Sequence, residues 1–145
     1  MTPWPRAALA ALVGVLLVGP AAGCGDGAGA DVLGPGEVAV ELRLHHSRFV
    51  PEDLTVEEGT TVRFVIHNVD PIDHEFIVGG GAVHARHEKG NEAEHGAVAG
   101  EVSVPAGETR STTFRFDRPG TVVYACHLPK HLSYGMEGEV TVTPR

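Results

Sequence analysis

Cysteine is nearly absent from this chain of 145 residues: Cys24 and Cys126 are the whole supply. At most one disulfide can form, and it would tie an N-terminal tail to a distant loop. Positive charge is scarce as well. Eleven Lys and Arg face 19 Asp and Glu, for a net charge of −8. That balance disfavours nucleic acid and anionic lipid, and it favours a basic partner through electrostatic steering. Long apolar runs are missing. The best, Ala7 to Gly19, follows Arg6 and breaks at Pro20; it suits an export signal and is too short to span a bilayer comfortably. There is no internal repeat and no sign of a second domain.

What is present begins with that export signal, residues 1–23. Ala21-Ala22-Gly23-Cys24 resembles a bacterial lipobox, with Cys24 as the lipidated residue and Ala21 where Leu is usual. The competing reading is cleavage after Ala28-Gly29-Ala30, which releases a soluble protein. Both readings place the domain outside the cytoplasm. A lipid anchor holds it at the outer face of the cytoplasmic membrane; without one it is periplasmic or secreted. Residues 24–36, rich in Gly, Asp and Ala, read as a flexible linker. Residues 37–145 then form one domain with a modest core.

Period-two alternation runs through that domain. Val38, Val40, Leu42 and Leu44 alternate with Ala39, Glu41, Arg43 and His45, and Val62, Phe64 and Ile66 repeat the pattern. Further short strands are expected at Phe49–Val56 (interrupted at Pro51), His74–Val78, Glu101–Val104, Thr112–Phe116, Thr121–Cys126 and Glu139–Val142. Turn residues separate them: Glu57-Glu58-Gly59-Thr60, Asn68 to Asp73, Pro105-Ala106-Gly107-Glu108 and Asp117-Arg118-Pro119-Gly120. About eight short strands with regular turns predict an all-β Greek-key sandwich. The exception is the insertion 79–101, rich in His, Glu, Ala and Gly, with room for a short helix.

Histidine is abundant, nine in all, which points towards metal. Tyr124-Ala125-Cys126-His127-Leu128-Pro129-Lys130-His131-Leu132-Ser133-Tyr134-Gly135-Met136 places a thiol, an imidazole and a thioether on one loop, as Cys-x4-His-x4-Met. Two His, one Cys and a weak axial Met are the donors of a blue-copper site. The loop lacks one His, and His74 is the best candidate, since its rival His67 falls mid-strand on the outward register. With Cys24 lipidated or removed, Cys126 is a lone thiol in an oxidising compartment, and metal ligation accounts for it. A Cys24–Cys126 disulfide and an inert buried thiol are the competing explanations.

With these features the chain resembles a cupredoxin of the plastocyanin/azurin superfamily, and its loop spacing is similar to rusticyanin-like and auracyanin-like members. Asn68, His74-x-Phe76, Gly120 to Tyr124 leading into Cys126, and Gly135-Met136-x-Gly138 carry the likeness over roughly residues 37–143. The resemblance implies a cupredoxin-like sandwich and one type 1 copper ion, Cu(I)/Cu(II), held by His74, Cys126, His131 and Met136. It further implies single-electron transfer between larger redox partners. Phe76, Leu128 and Leu132 are candidates for the apolar surround. Two positions depart from the family pattern. Lys130 replaces the Gly of a Pro-Gly-His loop, and Glu75 replaces the Asn or Ser that follows the upstream His and ties it to the Cys loop. A dinuclear copper centre needs a second Cys on the loop, and there is none.

The insertion holds His84, His87 and His95 with Glu88, Glu92 and Glu94. These histidines read either as a solvated polar loop or as an auxiliary metal site for Zn or Cu. His127, next to Cys126, should point to the opposite face and lie at the surface, as should His45-His46. Two functions follow: an electron carrier that is not an enzyme, or a copper-binding, delivery or storage protein of the cell envelope. The expected partners are redox proteins, met by a monomer that touches the membrane only through its anchor.

Overall fold

The computed structural model describes residues 31–90 and 94–145; the export signal, the lipobox and Cys24 lie outside them. Among the described residues ten strands form two sheets: β1 (Val32–Leu33), β2 (Glu37–Leu44), β3 (Phe49–Val50), β4 (Asp53–Glu57), β5 (Thr60–Asn68), β6 (His74–Gly79), β7 (Glu101–Val104), β8 (Thr109–Phe116), β9 (Gly120–Ala125) and β10 (Glu137–Thr143). One sheet runs β1-β4-β10-β9-β6-β7 and the other β3-β2-β5-β8. Both are mixed: β4 runs parallel to β1 and β10, and β2 is parallel to β5.

The predicted alternation holds. Val40, Leu42 and Leu44 of β2 and Val62, Phe64 and Ile66 of β5 are buried between the sheets. They meet Phe76, Val78, Val102, Val104, Tyr124, Val140 and Val142 of the facing sheet. Aromatic rings pack edge to face at the centre, with Phe49 5.9 Å from Phe76 and 5.2 Å from Tyr124. The Tyr124 hydroxyl leaves this core to donate to the carbonyls of Pro51 and Glu52, at 2.9 and 2.7 Å. Gly138 makes that possible, because a Cβ there would stand 2.4 Å from both the Tyr124 ring and the Glu52 carbonyl.

One difference from the sequence reading concerns a boundary. Val32 and Leu33, inside the expected linker, pair in register with Thr55 and Val56, and the Thr61 amide donates to the Gly36 carbonyl. The short apolar pair reaches an open sheet edge, so order begins before residue 37. The insertion contains a helix, α1 (Gly81–His87), and it lies against β6. Every residue of β6 is buried, because one face meets the core and the other is covered by the insertion. Among the described residues no helix is long and apolar enough to cross a membrane.

Candidate metal centre

Three of the four candidate ligands converge at one end of the sandwich. His74 opens β6, Cys126 directly follows β9, and His131 sits on the loop between β9 and β10. His131 Nδ1 lies 3.2 Å from His74 Nδ1 and 3.3 Å from Cys126 Sγ. The loop is closed by backbone hydrogen bonds: the His131 amide donates to Leu128, the Met136 amide to His131, and the Cys126 amide to Met136, at 3.0, 3.0 and 3.1 Å. Met136 is fully buried and belongs to the same apolar cluster as Cys126.

The upstream His is held by a carboxylate that the sequence reading passed over. His74 Nε2 donates to Asp70 Oδ2 at 2.9 Å, which leaves the Nδ1 lone pair facing His131 and Cys126. Such an orienting carboxylate behind an imidazole is how metal ligands are held in one tautomer. Asp70 is anchored in turn by the amides of His46 and Ser47, at 2.7 and 2.8 Å. Both residues take left-handed backbone angles, φ 54° and 53°, which aims two successive N–H groups at one anion. Burial pushes the Asp70 carboxyl up, but the Ser47 and His46 amides and the His74 ring outweigh it and hold the group below its ordinary value. Asn68 fixes the turn beneath: its Nδ2 contacts the carbonyls of Ile72 and Val104, and its Oδ1 accepts from the Asp70 amide. An Asp four residues before His, in a turn opened by Asn, was the available signal.

Cys126 is buried, and burial pushes its thiol up to about 11 despite backbone N–H groups of Glu75 and Leu128 directed at the sulfur. Burial, then the His74 ring, holds His131 below the ordinary imidazole value. Two imidazoles beside a buried sulfur with two N–H donors fit a soft cation, which would displace the thiol proton as it binds. The donor set therefore suits copper. Of the three candidates for the apolar surround, Phe76 lies in the same buried cluster as Cys126 and Met136, 4.8 Å from Phe64, Leu128 packs against that cluster, and Leu132 is half-buried.

The two departures from the family pattern now have physical content. Glu75 Oε1 accepts the His127 amide at 2.7 Å, so the carboxylate ties β6 to the Cys loop. Lys130 takes φ 73°, the left-handed conformation that Gly adopts freely and that costs a side chain about 1–2 kcal/mol.

Two histidines of the insertion are not solvated. The side chains of His87 and His95 are 3% and 4% exposed, and Glu101 is buried with them. His84 stands apart from that group: its Nε2 lies 3.1 Å from the carbonyls of Gly79 and Val123, and its Nδ1 lies 2.9 Å from His127 Nε2. His127 does point away from Cys126, yet it is half-buried beneath the insertion rather than at the surface. Burial, followed by the neighbouring His84 and His87, lowers its value to about 4. Sequence spacing named Glu88, Glu92 and Glu94 as companions of these histidines; the buried acids are Glu101, outward-facing on β7 beside inward Val102, and Glu75. Glu92 lies outside the described residues. His67 is occupied by Thr109 Oγ1 at 2.9 Å, away from the centre.

Residues 36–143 match the family described as copper binding proteins, plastocyanin/azurin family. The copper-resistant cuproprotein CopI of Rubrivivax gelatinosus is 38% identical over 98 residues, 66% of this chain and 59% of that protein. The protein of the same name from Pseudomonas aeruginosa is 28% identical over 138 residues, 73% of this chain and 76% of that one. Among solved structures, auracyanin A, a "blue" copper protein of Chloroflexus aurantiacus, superposes with a TM-score of 0.58 at 28% identity, over 74% of this chain and 100% of that one.

Removing the Asp70 carboxylate in Asp70→Ala should weaken copper binding about 10- to 100-fold, read by competition against a chelator of known affinity; unchanged affinity would show that Asp70 does not orient His74. Lys130→Gly should raise stability by about 0.5 kcal/mol, the relief of left-handed strain less the extra chain entropy of Gly. Urea unfolding of the metal-free protein checks this, and a loss of stability would mean that the Lys130 side chain makes compensating contacts.

Proposed function

The chain belongs to the plastocyanin/azurin family of copper-binding proteins, and on that footing we propose that it is an exported one-electron carrier whose copper is held by His74, Cys126, His131 and Met136. The observation that carries this reading is the convergence of His74 Nδ1, His131 Nδ1 and Cys126 Sγ within 4.8 Å of one another. A copper ion bound there would supply a reversible one-electron step. The residues supply the rest. Asp70 fixes the His74 ring, and the Glu75 and Leu128 amides hold the sulfur. The hydrogen-bonded loop from Cys126 to Met136 keeps the donors in place. Two sheets and a closed loop resist rearrangement, and a donor set that moves little lets electrons pass quickly.

The protein works without enzymatic turnover on this reading, as a monomer passing electrons between other redox proteins of the envelope. It meets the membrane only through a lipid on Cys24, and its net charge of −8 favours partners with a basic docking face. The name of the CopI relatives favours a second reading, in which the domain serves copper resistance by binding or handing over the metal.

Titration of the purified protein with Cu(II) should produce an intense thiolate-to-copper absorption band that saturates at one equivalent and is absent in Cys126→Ala. Weak d–d absorption that survives Cys126→Ala would remove the cysteine from the ligand set and with it the type 1 centre. The two functions separate by copper exchange. A carrier should keep its isotope-labelled copper over many redox cycles in the presence of a copper chelator. Loss of the label within a few cycles would favour delivery.

A further inference from the structure

We propose that the outer face of the β6-β7-β9 sheet carries a second cation site, with His87, His95 and Glu101 as ligands and Cu(II) as the ion. Ligand atoms of these three residues lie within 4.8 Å of one another. Each is placed by a different element: His87 by the last turn of α1, Glu101 by the first residue of β7, and His95 by the segment between them. Their side chains are 3–5% exposed.

The hydrogen bonds argue for a cation. His87 Nδ1 donates to the Val83 carbonyl at 2.8 Å. A neutral His87 then has a bare lone pair on Nε2, which faces Glu101 Oε2 at 3.2 Å. A lone pair against a buried carboxylate oxygen is repulsive unless positive charge lies between them. His95 repeats the arrangement. Its Nε2 lies 3.3 Å from Glu75 Oε2 and its Nδ1 3.7 Å from Glu101 Oε2. With the Nε2 proton donated to Glu75, Nδ1 is the His95 atom turned towards Glu101, in the carboxylate–histidine–metal order that holds such ligands. Glu75 and Glu101 both bring carboxylates under the insertion, and Arg86 pairs with Glu101 Oε1.

These three ligands leave room for water or a further ligand. His87 and His95, together with Glu75, line a cavity of about 300 Å³ that reaches Leu128 and Pro129 of the copper loop. His127 lines the same cavity, and its Nδ1 is buried with no hydrogen-bond partner among the described residues. Two imidazoles and a carboxylate, with no sulfur, select Cu(II) over Cu(I), and Cu(II) binds such sets more tightly than other divalent first-row ions. The site is separate from the Cys126 centre but adjoins it. Glu75 turns its backbone N–H towards the sulfur, and its side chain contacts both the His127 amide and His95.

The competing account is an ion-pair network, in which a doubly protonated His87 replaces the metal. Copper per chain decides between them. The metal-free protein is loaded with excess Cu(II), desalted and assayed by elemental analysis, with electron paramagnetic resonance of the same samples. Wild type should retain two coppers. Cys126→Ala should retain one, with the wide hyperfine splitting of nitrogen and oxygen ligation. The His87→Ala/His95→Ala variant should retain one and keep the thiolate charge-transfer band, which also reports that it is folded. Should that variant lose the band, Glu101→Gln serves instead, with the second equivalent weakened at least about tenfold. A wild type that retains one copper, or a double variant that retains two, overturns the second site. Neither result touches the type 1 centre, whose own failure would appear as a missing thiolate band.

Discussion

Adjacent residues on a strand face opposite sides of a sheet, and β6, β7 and β9 lead that constraint into two clusters. On β6, His74 and Phe76 turn inward while Glu75 turns outward. On β7, Val102 and Val104 turn inward while Glu101 turns outward. At the end of β9, Cys126 turns inward and His127 outward. The inward set builds the core and the His74, Cys126 and His131 centre. The outward set would be a row of exposed polar groups were it not for the insertion. Helix α1 and the segment after it cover that face and bring their own imidazoles to it.

Glu75 couples the two sides. Its backbone serves the buried sulfur, while its carboxylate clamps the Cys loop and contacts His95. A residue that only replaced an Asn or Ser would need a single acceptor. The carboxylate has two oxygens and uses one on each side. Asp70 plays a comparable part on the other flank of the centre. It joins the His74 ring to the loop at His46 and Ser47, so the upstream candidate ligand is held by two elements distant in sequence. Rigidity of this kind, built from charge-assisted hydrogen bonds in a buried setting, would serve the proposed one-electron centre.

Much of the architecture was legible in the chain. Alternation named the inward residues of β2 and β5, and turn residues bounded the strands to within three residues. Cys-x4-His-x4-Met brought one arm of the candidate centre into view, and the Asp73-His74-Glu75-Phe76 strand supplied the other. The misses share a cause. Val32 and Leu33 form a strand only because β4 offers an open edge; two apolar residues carry no periodicity of their own. His127 was correctly assigned a direction but not its cover, since a local pattern cannot say what packs on the far side of a sheet. Glu101 was read as the start of a strand, and only the fold shows that it shares a site with residues of the insertion.

Sequence by itself determined which side chains face which way, because strand pleat is a local property with a fixed period. It also determined the chemistry available on the Cys126 to Met136 loop, because those donors are close in the chain. Tertiary structure decided everything that depends on contact across longer separations: Asp70 anchored by His46 and Ser47, Glu75 between two clusters, and Glu101 beside His87 and His95. Those contacts arise when sheets pair and an insertion folds back. Their energies come from burial and desolvation, which no short window of sequence contains.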